Sequence, residues 1–216
     1  MGEVIMLSER REAKRLREPA RRRARTHAEF FFDLSCPFTY LVAERVERSF
    51  DEIVWRPASS AALRGAAPAG AELYAASVHR EAEERAATLR LPLVWPERFP
   101  AAVPAAMRMA SYAADCGRGA AFVLAATRLA FCGGFDLDDP EILAEAAAAA
   151  GVVSADTSHA AHDAGCDAAI DATGRMLLAA GADSLPALRL AHSLCWGERR
   201  IGEALLAARV ARVAQL

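Results

Sequence analysis

The run Ala28-Glu29-Phe30-Phe31-Phe32-Asp33-Leu34-Ser35-Cys36-Pro37 constrains this chain more than any other stretch. Three consecutive phenylalanines stop at an aspartate, and a cysteine then stands directly before a proline. A short continuous apolar run fits a strand buried on both faces. From Pro37 to Phe50 the pattern changes, with Leu41, Val42, Val46 and Phe50 on or near one helical face. Proline is tolerated in a first helical turn because the N–H it lacks would have no partner there. The expected grammar is strand, tight turn, helix, with Cys36 at the helix's positive end. There the dipole and free backbone N–H groups favour a thiolate and can bring a thiol pKa from about 8.5 into the range of about 3.5–7.5. Cys36 is therefore expected to be a nucleophile, the plainer alternative being an inert buried thiol. Thr39, one turn on, is a candidate to hydrogen-bond that thiolate or else a plain surface threonine. Ser35 and Pro37 shape the turn on either side, where a ligand would lie.

Ile53-Val54-Trp55-Arg56-Pro57 reads as a second short strand ended by its proline. Strand, helix and strand make a unit whose crossover implies parallel pairing. Helices are expected over residues 71–91, 101–115, 119–131, 140–150 and 156–180, with Pro92, Pro96 and Pro100 separating the first two. A strand over 184–190, a hairpin partner over 191–196, a turn at Gly197 and an amphipathic helix over 198–213 complete the chain. The ends are thus α/β and the middle helical. The expected organisation is a basic tail over 1–27, one domain built from 28–64 and 154–216, and an all-helical insertion over 65–153.

Apolar residues make up 54% of the 216, enough for a large core and against disorder. The net charge of −2 divides unevenly: nine basic and four acidic residues give the first 27 a charge of +5, leaving −7 for the rest. No aromatic residue interleaves this tail, so it offers bases no stacking platform, and a solvated extension is the plainer reading than a nucleic-acid arm. Nothing resembles a signal peptide or a membrane span. Five cysteines without a CxxC pair point to reduced thiols and a cytoplasmic location. His159, His162 and Cys166 share a helical spacing but lack a fourth ligand, so no metal site is expected. Asp136, Asp138 and Asp139 lack the glycine and glutamate of a calcium loop and read as capping residues. Trp95 and Phe99 suit either the wall of an aromatic-substrate pocket or the core.

Late in the chain Leu185-Pro186 opens a strand, a position where prolines are often cis. Facing a cysteine, such a loop leaves the preceding residue's backbone free to pair with an extended ligand. Several short segments carry a resemblance in order: Phe31 to Leu41, Trp55-Arg56-Pro57, Pro96 to Pro100 followed by Arg108, Ser184-Leu185-Pro186, and Cys195 to Arg200. The chain resembles the DsbA-like branch of the thioredoxin superfamily, especially the 2-hydroxychromene-2-carboxylate isomerases and kappa-class glutathione transferases. The resemblance implies a thioredoxin-like α/β fold with an all-helical insertion. It places Cys36 where this branch carries its catalytic serine or cysteine and makes Leu185-Pro186 the loop that would hold a thiol ligand's backbone. It has Trp196-Gly197 cradle the ligand's γ-glutamyl end and Trp55 and Arg56 border the site.

The departures matter equally. Thr39 stands where the disulfide oxidoreductases have a second cysteine, so Cys36 cannot resolve a mixed disulfide internally. The isomerases usually carry serine at the Cys36 position, an asparagine near Ala102 and an acidic residue near Arg199. Arg199 would favour a ligand carboxylate or a different small thiol. One lysine against 25 arginines suggests a GC-rich genome, which leaves the thiol's identity open between glutathione and another low-molecular-weight thiol. The expected function is a thiol-dependent oxidoreductase acting through Cys36 alone, its partners a small thiol and a small electrophilic or aromatic substrate. The alternatives are a glutathione-dependent isomerase and a non-catalytic binding protein. Assembly as a homodimer is left open.

Overall fold

The computed structural model describes residues 28–64, 71–152 and 159–213; the basic segment 1–27 lies outside the described residues. Strand β1 (Ala28–Phe32) leads through a tight turn into helix α1 (Pro37–Ser49) and then strand β2 (Val54–Pro57). Helices α2 (Ser60–Arg64), α3 (Ala71–Leu89), α4 (Pro104–Asp115), α5 (Gly119–Phe131), α6 (Pro140–Ala149) and α7 (Asp167–Ala179) follow. Strands β3 (Ala187–Leu190) and β4 (Ser193–Trp196) and helix α8 (Glu198–Val213) close the described chain.

The sheet runs in the order β2-β1-β3-β4. As the crossover helix requires, β1 and β2 are parallel, whereas β1–β3 and β3–β4 are antiparallel. Successive side chains of a strand point to opposite faces, and the phenylalanine triplet uses both. Phe30 and Phe32 join the large cluster beneath α1, α4, α5 and α6, while Phe31 joins a second cluster with Leu63, Leu177 and Leu185. All three rings are fully buried, each contributing roughly 1.5–3 kcal/mol. A one-residue slip would exchange the faces, so the triplet fixes where Asp33 and Cys36 emerge.

The helical part packs directly on this frame, with α5 against α1, α4 against β2, and α3 against α1. A buried carboxylate adds a polar tie. Glu198, in the first turn of α8, accepts hydrogen bonds from Arg45 of α1 and from Nε of Arg85 of α3 at 2.6 Å. Small residues permit close approach elsewhere: a Cβ on Gly174 would lie 2.5 Å from the Ser59 carbonyl oxygen, so α7 meets α2 almost backbone to backbone.

Several boundaries differ from the sequence expectation. Helix α4 begins at Pro104 rather than at residue 101, because a residue before proline is turned away from helical geometry and Val103 is the cap. The long helix expected over 156–180 is broken; part of it lies outside the described residues, and α7 begins only at Asp167. The Asp163 carboxylate accepts the Gly165 N–H at 2.9 Å, holding a turn and a short 3₁₀ segment, Ala164–Cys166. Strand β3 starts after Pro186, and Ala191, at φ +52°, begins the two-residue loop to β4. Among the described residues no helix is long and apolar enough to cross a membrane.

Candidate functional site

The site forms where β1 ends. Asp33 is buried there at 7% exposure, and its carboxylate organises the turn. Oδ1 accepts the Ser35 N–H at 2.8 Å and the Ser35 hydroxyl at 2.7 Å, and Oδ2 accepts the Ser60 N–H at 2.9 Å. The Asp33 carbonyl accepts the Cys36 N–H at 3.1 Å and the Thr39 hydroxyl at 2.9 Å. Leu34 donates its N–H to the Met107 sulfur of α4 at 3.3 Å, which ties the turn to the helical part. One aspartate therefore holds the end of β1, the start of α1 and the start of α2 together.

Cys36 is the cap of α1, with extended backbone (φ −96°, ψ 116°), and Pro37 occupies the first turn as expected. Its thiol donates to the Leu185 carbonyl at 3.3 Å, bridging residues 149 positions apart. The Leu185–Pro186 peptide is cis. Gly197, at φ +77°, donates its N–H to the Pro186 carbonyl at 2.9 Å and so braces this loop from behind.

The surroundings of Cys36 work against the lowered pKa that its place at the helix end favours. Burial, and after it the neighbouring Asp33 carboxylate, push the thiol up to about 12; N–H groups of Thr39 and Phe38 and the Thr39 hydroxyl pull the other way but are outweighed. In this setting the Cys36 S–H serves as a hydrogen-bond donor to Leu185, and the residue stays partly accessible.

The thiol faces a cavity of about 470 Å³, within the usual range for small-molecule sites. One wall is the turn with Ser35, Cys36, Pro37 and Phe38; the others come from residues 59–61, 99–104 and 183–185 and from α2, α3, α4 and α7. Leu185 thus lines the cavity beside Cys36, while Thr39 and Pro186 are buried immediately behind the lining. Phe99 also lines it. Trp95 does not: it stacks on His79 at 3.9 Å and meets Phe99 at 4.6 Å, with its indole N–H on Glu83 at 3.0 Å.

Other expected site residues lie elsewhere. Trp55 stands opposite Phe30 in the sheet, meets it edge to face at 4.9 Å and belongs to the core. Arg56 is exposed and donates to Glu29 at 2.7 Å; Glu29 lies four residues before Asp33, about 13 Å back along the strand. Both are therefore displaced from the site by the register of β2 on β1. Trp196 packs against the Leu185 cluster under the Arg200 guanidinium, 5.2 Å from its ring centre, and does not line the cavity. Arg199 is exposed on α8 and also outside the cavity. It is Glu198 that points inward there. Burial alone would raise its carboxyl, but hydrogen bonds from Arg85 and Arg45 outweigh that and hold it below the ordinary carboxylate range.

Sequence reasoning missed Asp33 as a site residue, although Asp-x-Ser is a local turn pattern that could have shown it. It also missed Met107, Asp171 and Asp183 in the cavity wall, which carry no local signal. Arg108 of α4, part of the sequence resemblance, forms a two-pronged ion pair with Asp167, at 2.8 and 2.6 Å, beside the same cavity. Among the described residues no three metal-ligating side chains converge.

The chain is similar in structure to a 2-hydroxychromene-2-carboxylate isomerase, with a TM-score of 0.72 and 17% identity over 87% of this chain and 96% of that one. It is similar to a probable DsbA oxidoreductase from Streptomyces coelicolor, with a TM-score of 0.66 and 22% identity over 85% and 89% of the two chains. A cytosolic disulfide reductase, DsbM, from Pseudomonas aeruginosa gives 0.63 and 15% over 88% and 98%. At these identities the likeness is one of fold. No curated protein sequence matches the chain. The family model for the DSBA-like thioredoxin domain matches residues 28–207, which carry both the Cys36 turn and the Leu185-Pro186 loop, and the chain belongs to that family.

Proposed function

We propose that the protein is a thiol-dependent oxidoreductase acting through one sulfur, Cys36, with a low-molecular-weight thiol, glutathione or another, as external partner. The observation that carries this reading is that Cys36 brings the one thiol into the cavity wall among its described residues, while Thr39, one turn on, commits its hydroxyl to the Asp33 carbonyl. The chain's own residues supply positioning. The Leu185 backbone, next to the cis peptide, is set to pair with an extended ligand. A ligand N–H that takes over the Leu185 carbonyl removes the acceptor that favours the Cys36 S–H, which lowers the thiol pKa and lets its proton pass to solvent. The Thr39 and Phe38 N–H groups then favour the resulting thiolate. The thiolate attacks a sulfur of the small-thiol disulfide; that S–S bond breaks as the mixed disulfide forms, and the departing thiolate takes the bonding pair and a proton. A second small thiol regenerates Cys36 and carries away the oxidised product. The unpaired state of all five cysteines fits a reducing compartment and the cytoplasmic location proposed with this activity.

A second reading rests on the raised thiol pKa. A thiol that stays protonated could donate to the sulfur of a bound cosubstrate, as a serine hydroxyl would, in a glutathione-dependent isomerisation without net redox change.

Intact-mass analysis with small-thiol disulfides separates the two. The expected result is a single adduct on Cys36, released by free thiol, together with disulfide-reducing turnover that Cys36→Ser abolishes. Retention of that turnover in Cys36→Ser overturns the single-sulfur reading. Loss of the adduct with retention of thiol-dependent isomerisation would establish the second.

A further inference from the structure

The charges around the Cys36 cavity specify its ligand further. Its described lining includes Asp33, Asp167, Asp171 and Asp183 and no lysine, arginine or histidine. Asp167 is compensated by the two-pronged pair with Arg108. The other three form no ion pair among the described residues. Asp33 is satisfied by neutral donors of Ser35 and Ser60, and Asp183 accepts the Ser184 hydroxyl at 2.8 Å; neither arrangement cancels a negative charge. The remaining walls are largely apolar, with Leu63, Val78, Phe99 and Met107 among them. A cavity of one charge sign with low-dielectric walls concentrates ligands of the opposite sign.

Resting on the single-sulfur reading above, we infer that the thiol partner of Cys36 carries a cationic group, an amine or a guanidinium, on a short apolar stem. A partner with an excess of carboxylates is disfavoured. Glutathione, with two carboxylates and one ammonium at neutral pH, is on the wrong side of that preference, and so is an aromatic carboxylate. The small thiol selected is one whose own amine is free.

Two methanethiosulfonates of matched size test this on the full-length protein, one bearing a trimethylammonium and the other a sulfonate. Each transfers its thioalkyl group to a thiolate: the Cys36–sulfur bond forms, the bond to the sulfonyl sulfur breaks, and methanesulfinate leaves with the bonding pair while the thiol proton goes to solvent. Peptide mapping confines the rate to Cys36, since Cys116 and Cys132 are exposed thiols. Each rate is divided by that for free 2-mercaptoethanol, which removes the intrinsic attraction of a cation for a thiolate. The expected ratio favours the cation by about tenfold or more, equivalent to about 1.4 kcal/mol. In the Asp171→Asn/Asp183→Asn variant it should fall by at least about threefold, and in the wild type it should shrink as salt is added. Equal normalised rates, or a faster anion, overturn the inference while leaving single-sulfur chemistry standing. The comparison is run at about pH 10, where a raised thiol has a usable thiolate fraction without needing a ligand N–H; refusal of both reagents at Cys36 there overturns both.

Discussion

Replacing Asp33 with asparagine tests whether one carboxylate both holds the site together and keeps its thiol neutral. Asparagine has nearly the same shape and keeps an oxygen where Ser35 donates twice, from its N–H and its hydroxyl. It puts an NH₂ group where Oδ2 accepts the Ser60 N–H at 2.9 Å, so a donor faces a donor. One hydrogen bond to a charged acceptor is lost, which costs about 1.5–3 kcal/mol, and leaving the buried Ser60 amide unmatched adds up to about 1–3 kcal/mol more. Because the two losses overlap, the variant should be less stable by about 3 kcal/mol. The thiol should respond in the opposite sense. Burial is the larger cause of the raised Cys36 pKa and stays, while the Asp33 charge is the next cause and goes. The pKa should therefore fall from about 12 yet remain above the ordinary thiol range. Urea unfolding reads the first quantity, and the pH profile of iodoacetamide alkylation at Cys36 reads the second. A variant within about 0.5 kcal/mol of wild type, inside ordinary surface-substitution scatter, would refute the organising role. A thiol pKa unmoved or raised would refute the electrostatic account even if stability fell as expected.

Two further substitutions test the packing around this site. Gly174→Ala should lower the urea midpoint: better helix propensity contributes about 1 kcal/mol, but overpacking against a rigid backbone costs about 1–3 kcal/mol, and the Ser59 carbonyl only 2.5 Å away puts this site at the upper end. A gain in stability would show that α7 can move away from α2 freely. Glu198→Gln should cost about 3 kcal/mol at pH 7, because it leaves Arg85 and Arg45 without their buried counter-charge. The Glu198 carboxyl lies lower in the folded than in the unfolded protein, so its contribution is present above about pH 4.3 and is lost as pH falls through the folded value. The gap between wild type and Glu198→Gln should accordingly close on acidification, and a gap that persists well below that range would contradict the pairing.

What the sequence disclosed and what it hid divide by distance along the chain. The strand, the turn, the proline-led helix and the cap position of Cys36 all follow from neighbours within a few residues, and the structure has them. The break before α7 was equally local, since Asp163 and Gly165 stand two apart, but the apolar periodicity on either side outweighed it. Trp55 and Arg56 are different. Which of two adjacent strand residues faces the core depends on how β2 registers on β1, and a motif of three residues does not contain that information.

The sign of the Cys36 shift is the sharpest instance, and magnitudes explain it. The dipole of a helix N-terminus, counted without hydrogen bonds from its N–H groups, favours an adjacent anion by about 0.3–1 kcal/mol, up to about 2 when partly buried, which is at most about 1.5 pKa units. Burial can move a pKa by up to about 3–5 units. The smaller influence is written in Cys36-Pro37 and can be read there. The larger, burial, depends on what the fold packs over the turn, where the Leu185 carbonyl, 149 residues away, meets the thiol; the nearby Asp33 charge adds to it. A local motif therefore discloses where a thiol stands, while its protonation depends on the surrounding fold. Anything that opens the cavity or takes the Leu185 carbonyl acts on the larger influence. In the single-sulfur chemistry proposed above, ligand binding rather than the helix would therefore be the step that makes Cys36 a thiolate.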